Sequence, residues 1–149
     1  LCPVAGRMER LKSRSGCLLI NDTYNANPGS MRAAIETLAT FAGTRVLVMG
    51  HMAELGAGAE RLHYEAGVCA REHAIEHLLV TGAHAGAVAE GYGAAARVFA
   101  ARDALALACA QFDRPGVVML VKGSRSAGME AVVEALLGST APNTPARVH

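Results

Sequence analysis

The sequence predicts a three-layer α/β domain whose sheet is mostly parallel, with one antiparallel edge strand. Three observations carry this. Short apolar runs bounded by turn-forming residues recur along the chain: C-L-L-I at 17–20, R-V-L-V-M-G at 45–50, H-L-L-V-T-G at 77–82 and G-V-V-M-L-V-K-G at 116–123. Runs this short read as buried strands. Segments of helical periodicity lie between them, and parallel strands need such crossovers. Strands apolar on both faces need helices on both sides, which makes three layers.

The elements follow in order. The polar stretch M-E-R-L-K-S-R-S-G can pair antiparallel with the first apolar run and supply the edge strand. Met31, Ala34, Ile35, Leu38 and Ala42 then recur at helical spacing, while Arg32, Glu36 and Thr40 face elsewhere. The strand at 45–50 ends in glycine, and the loop H-M-A-E-L-G-A-G leads into a helix from Ala59 to His73. After the strand opened by His77, A-H-A-G-A-V-A-E-G-Y-G reads as a short glycine-interrupted helix and R-V-F-A as a brief fourth strand. Asp103 is placed to cap the helix D-A-L-A-L-A-C-A-Q-F. The strand at 116–123 is the strongest, and S-A-G-M-E-A-V-V-E-A-L-L closes the domain, giving it the bounds 1–137. The remainder, 138–149, has the composition of a disordered tail.

A length of 149 residues allows one ordinary domain. With 52% hydrophobic residues, 4% aromatic and no tryptophan, the core must be built from Ala, Val, Leu, Ile and Met. A net charge of +1, scattered along the chain, favours neither nucleic acid nor an acidic membrane surface. Cys2, Cys17, Cys69 and Cys109 show no C-x-x-C spacing, and the last three sit in apolar segments, as free thiols do. A reduced, cytoplasmic setting is expected. No apolar run approaches the roughly 18 residues that span a bilayer, so no membrane insertion is expected. The start Leu-Cys-Pro lacks an initiator methionine and suggests a fragment.

Ligands of open parallel sheets gather at the carboxyl ends of the strands, where loops lead into helix N-termini. Three such loops are polar. In N-D-T-Y-N-A-N-P-G-S, Asn27 and Pro28 match an N-cap and first-turn pair. Asp22, Tyr24 and Asn25 exceed what that cap needs: they either make the turn, or the carboxylate accepts ribose hydroxyls or holds a positive donor. In G-H-M-A-E-L-G, His51 and Glu54 permit acid-base or metal chemistry, or His51 is a polar loop residue. His73 and His77 read as surface residues. In K-G-S-R-S, Lys122, Ser124, Arg125 and Ser126 gather hydroxyls, a guanidinium and backbone amides suited to an oxyanion. The alternative is that Ser126 caps the final helix and Arg125 is solvated. This cluster lacks the spacing of a P-loop.

Taken in order, G-R-M-E-R at 6–10, N-D-T-Y-N-A-N-P-G-S-M, V-M-G-H-M-A-E-L-G and L-V-K-G-S-R-S-A-G-M-E resemble the C-terminal domain of the Mur ligases. The resemblance runs over roughly residues 3 to 137, and Asn-Ala-Asn-Pro matches the branch that adds D-alanyl-D-alanine to UDP-N-acetylmuramoyl-tripeptide. It implies a Rossmann-like third domain that closes over a central domain. ATP and Mg²⁺ would be held mainly by that central domain, and an N-terminal domain would complete the ligase. The reaction it implies forms an amide bond through an acyl phosphate in peptidoglycan precursor synthesis, with the fragment inactive alone. Carried onto this chain, Arg7 would approach the nucleotide phosphates and Asp22 the ribose hydroxyls. Tyr24 and Asn25 would lie near the adenine or the domain contact. His51, Glu54, Lys122, Ser124, Arg125 and Ser126 would line the dipeptide site. The chain departs from the family at Asn21, usually Asp, and at His51, also usually Asp. The other reading of the same loops is a non-catalytic nucleotide- or anion-binding module.

Overall fold

The computed structural model describes residues 5–138. Strand β1 (Glu9–Lys12) pairs antiparallel with β2 (Leu18–Asp22), as the sequence predicts. Helix α1 (Pro28–Ala39) crosses to β3 (Thr44–Met49) and α2 (Ala59–Glu72) to β4 (His77–Thr81). Helix α3 (Ala85–Tyr92) leads to β5 (Arg97–Phe99), and α4 (Arg102–Ala110) to β6 (Val117–Lys122). Helix α5 (Glu130–Leu137) follows. The strand order is β1-β2-β6-β3-β4-β5, with every pair after the first parallel. The three loops singled out from the sequence therefore leave the inner strands β2, β3 and β6.

Period-two alternation splits the core into two layers. Leu47 and Met49 point to one face and pack with α1, α2 and α3 through Ile35, Leu38, Ala70 and Val88. Val46 and Val48 point to the other and meet α4 and α5 through Leu105, Cys109, Val133 and Leu136. Cys17, Cys69 and Cys109 are free and buried. Burial pushes the Cys17 thiol up to about 11 and the Cys109 thiol up to about 12, so both are inert packing groups.

Helix α1 starts three residues before its apolar stripe because its cap does. The Asn27 side chain accepts from the Ser30 N–H at 2.9 Å, and Ser30 Oγ accepts from the Asn27 N–H at 3.0 Å. With Pro28 in the first turn, that is the predicted cap in full.

Three expectations need correction. Asp103 is exposed in the first turn of α4 rather than at its cap, which is Ala101 with no side-chain bond. The final helix does not run from Ser126: residues Arg125–Ala127 form a single 3₁₀ turn, and Gly128 at φ +64° breaks the backbone before α5. Ser126 therefore caps nothing. His73 and His77 are half-buried, His73 bonding through Nδ1 to the Cys69 carbonyl and His77 packing on Phe112. The tail expected at 138–149 lies, from residue 139 on, outside the described residues.

Helices α2 and α3 meet closely at two glycines. A Cβ on Gly67 would lie 2.0 Å from the Val88 carbonyl oxygen, and one on Gly91 would lie 2.1 Å from that of Tyr64. This explains Gly91 in α3.

Candidate functional site

The first and third loops of the site are joined by an ion pair that the register creates. Asp22 and Lys122 are direct partners at the ends of β2 and β6. Both are buried, at 8% and 2% exposure. Lys122 Nζ donates to Asp22 Oδ2 at 2.8 Å and to the Asn25 carbonyl at 2.9 Å. Asp22 Oδ1 accepts from the Met8 N–H at 3.1 Å, which ties the lead-in to β1 onto the same carboxylate. Two buried charges are tolerated here because each has its counter-ion and further hydrogen bonds.

Behind this pair, Asn21 Nδ2 donates to Glu9 Oε1 at 3.2 Å, and Thr23 Oγ1 donates to Asn21 Oδ1 at 2.6 Å. An aspartate at 21 would set two buried carboxylates against each other. Asparagine resolves that conflict by donating.

Ser124 latches the loops together. Its buried Oγ accepts from the Ala53 N–H at 2.7 Å and donates to the Ala26 carbonyl at 3.3 Å, while its own N–H reaches the His51 carbonyl at 2.9 Å. Lys122 and Ser124 therefore spend their polar atoms inside the scaffold.

Two cavities open on this scaffold. A cleft of about 360 Å³ is lined by Arg7, Asp22, Tyr24, Asn25, Lys122 and the first turns of α1. Two guanidiniums bracket its aromatic wall, with Arg7 Cζ 4.0 Å and Arg125 Cζ 4.9 Å from the Tyr24 ring centroid. A smaller cavity of about 220 Å³ is lined by His51, Gly82, Arg102 and Ser126 among others, with His51 Nε2 3.1 Å from Ser126 Oγ. The residues expected to line one dipeptide site are thus divided. Lys122 lines the larger cleft and Arg125 packs over its Tyr24 wall, His51 and Ser126 line the smaller, and Glu54 is exposed in the left-handed region at φ +60°, lining neither of these two. Among the described residues no three His, Cys, Asp or Glu side chains converge as metal ligands.

Sequence reading missed His63. It is fully buried on the apolar face of α2, where its Nδ1–H donates to the Ala59 carbonyl at 2.7 Å and its Nε2 accepts from the Met52 N–H at 2.9 Å. These partners assign the neutral tautomer and pin the loop that carries His51. The available signal was a polar residue within the apolar spacing His63, Ala66, Gly67, Ala70. Burial pushes its imidazole below the ordinary value of 6.5.

The sign follows from linkage: below about 6.5 the unfolded chain takes up this proton first, so stability is complete above that pH and falls as pH drops through it. Glu76, held down at about 2 by its hydrogen bonds from Arg45, contributes stability that is lost as pH falls below about 4.5, under this window. Urea midpoints should therefore fall between pH 7 and pH 5. The His63→Gln variant should be less stable at pH 7 but flatter across the window, and an unchanged slope in that variant would rule His63 out.

Comparison with known proteins decides the family. Residues 6–125 match the family model described as Mur ligase, glutamate ligase domain. The chain belongs to the Mur ligase family. It is 44% identical over 137 residues to the UDP-N-acetylmuramoyl-tripeptide--D-alanyl-D-alanine ligase of Escherichia coli, covering 89% of this chain and 30% of that protein. Among solved structures, MurF from Acinetobacter baumannii superposes with a TM-score of 0.83 at 32% identity, covering 93% of this chain and 31% of the other. The MurF ligase of Thermotoga maritima in complex with ADP gives a TM-score of 0.81 at 27% identity, covering 93% and 32%. This Mur ligase chain thus spans about 30% of the length of the relatives it matches.

Proposed function

We propose that this chain is the third domain of the ligase that joins D-alanyl-D-alanine to UDP-N-acetylmuramoyl-tripeptide, closing over ATP held mainly by a central domain. One observation carries the reading: Arg7, Asp22, Tyr24 and Asn25 share a single cleft at the carboxyl ends of the sheet, and its volume of about 360 Å³ suits part of a nucleotide. The match to dipeptide-adding relatives supplies the reaction class.

The residues present fit an ATP contact made from one side. Arg7, exposed over Tyr24, would meet phosphate oxygens; the Asp22 carboxylate, already oriented by Lys122 and the Met8 N–H, would accept ribose hydroxyls; Tyr24 and Asn25 would border the base. When bound, ATP supplies the phosphoryl group that activates the tripeptide carboxylate. Arg125 stands between the two cavities, over Tyr24 and next to Ser126, where its charge faces oxyanion character developing during amide formation. Mg²⁺ would be held mainly by the central domain, and we assign it no step in this one. The chain alone would be inactive, and the ligase cytoplasmic, where its nucleotide-linked substrates and free thiols are at home.

The test uses the complete ligase polypeptide bearing this domain. Phosphate release should require both UDP-N-acetylmuramoyl-tripeptide and D-alanyl-D-alanine, and Arg7→Ala and Arg125→Ala should each lower kcat/KM about tenfold, the worth of one charge-assisted hydrogen bond. Release independent of either substrate would leave only a nucleotide- or anion-binding module. Unchanged kinetics in both variants would sink the site assignment.

A further inference from the structure

We propose that His63 is a positioning residue that makes the site respond to pH: a proton gained at its Nε2 turns the peptide between His51 and Met52 and, through Ser124, loosens the loops after β6 and β2. That this regulates catalysis rests on the ligase reading; the loop movement itself does not. The ring nitrogens leave only one place for a second proton. Nδ1 already carries its hydrogen, because its partner at 2.7 Å is the Ala59 carbonyl, which can only accept. Nε2 accepts from the Met52 N–H at 2.9 Å, so protonation there sets one N–H against another at a fully buried ring.

The Met52 N–H belongs to the same peptide unit as the His51 carbonyl, and that unit is planar and rigid. Its other end accepts from the Ser124 N–H at 2.9 Å. A tilt that carries the N–H away from an imidazolium therefore swings the carbonyl away from Ser124. The next amide along, Ala53 N–H, donates to Ser124 Oγ at 2.7 Å, and Ser124 Oγ in turn donates to the Ala26 carbonyl at 3.3 Å. One peptide plane thus links the buried imidazole to all three loops, and Arg125 follows Ser124 directly. The Met52 side chain, 2% exposed and packed in the core, holds the loop in place, so the response is a local rotation rather than unfolding.

Two titratable groups face His63. His84, at the start of α3, has its ring centroid 4.8 Å away, and His51 lies in the pinned loop itself. Burial disfavours the charged ring most, and both neighbouring histidines add to this. Neither supplies a counter-charge, so the neutral form that accepts from Met52 prevails at pH 7 and the switch operates below the ordinary imidazole value of 6.5.

The test is an NMR titration of the 149-residue chain. At pH 7.5 a scalar coupling across the hydrogen bond should connect the Met52 amide nitrogen to His63 Nε2. On acidification it should vanish with a midpoint below 6.5, at which the Ala53 and Ser124 amide resonances move together. Those two resonances should hold still in His63→Gln, whose side chain keeps an acceptor but takes no proton, and should still move in His51→Gln and His84→Gln. A missing coupling at pH 7.5, or Ala53 and Ser124 amides that ignore the titration of His63, would overturn the proposal without any variant; so would amides that keep moving in His63→Gln. In the complete ligase, kcat/KM for phosphate release should fall by up to about tenfold per pH unit below that midpoint, and the fall should be flatter in His63→Gln. An acid limb unaltered by His63→Gln would sink the regulation alone. Phosphate release independent of either substrate would sink the ligase reading and leave the loop movement standing.

Discussion

Replacing Lys122 with methionine should destabilise the domain by about 3 kcal/mol, the lower part of the range for stripping one partner from a buried ion pair. The Asp22 side chain is 11% exposed against 3% for Lys122, so water can reach the orphaned carboxylate in part, which favours the lower figure. Methionine conserves most of the stem volume, so what is lost is charge: the bond to Asp22 Oδ2 and the bond that holds the Asn25 carbonyl. The Asp22→Asn change should cost a comparable amount, because it leaves the ammonium without its anion. The double variant should be far less damaging than the sum, since a neutral amide beside a thioether buries no unpaired charge. Urea unfolding at pH 7 of the four proteins gives the coupling directly; additive losses would show that the two charges do not depend on each other.

This bears on how the nucleotide site is probed. An activity loss in Asp22→Ala mixes a missing ribose contact with a collapsed loop, because Lys122 and the Met8 N–H lose their shared acceptor. Arg7 and Arg125 are exposed and contact Tyr24 without bracing the sheet, so their variants report on binding with the scaffold intact.

Much of the fold was legible because it rests on local periodicity and capping. The inner strands, the crossover helices, the Asn27 cap and the antiparallel edge strand all follow from patterns a few residues wide. What escaped depends on long-range contacts. The sequence places Lys122 near Ser124, Arg125 and Ser126, yet its partner is Asp22, 100 residues away, which only the β2–β6 register brings alongside. The acidic residue at the start of α4 reads as a cap, but an extended Ala101 takes that place and leaves the helix amides open to a cavity. Arg102 had no motif to mark its contacts, since the Ala127 and Gly128 carbonyls it donates to belong to a turn that begins beyond the next strand.

Gly67→Ala should cost about 3 kcal/mol even though alanine is the better helix former by about 1 kcal/mol. In an isolated α2 the propensity term would win. In the folded domain the added methyl group lands 2.0 Å from the Val88 carbonyl oxygen and 2.9 Å from the Tyr92 nitrogen, both backbone atoms of α3 that no rotamer change can move aside. Relief requires the two helices to separate, which opens the layer built from Ala66, Ala70, Ala85 and Val88 and disturbs the Tyr92 hydroxyl where it donates to the Ile75 carbonyl at 2.5 Å. Gly91→Ala should behave alike from the opposite side, where the methyl group would meet the Tyr64 carbonyl at 2.1 Å. Gly86 provides the control within α3: nothing lies within 4 Å of a Cβ added there, so Gly86→Ala should raise stability by about 0.5–1 kcal/mol through propensity alone. Urea midpoints of the three variants separate the two effects. If Gly67→Ala and Gly86→Ala shifted in the same direction, helix propensity rather than the α2–α3 contact would govern these positions.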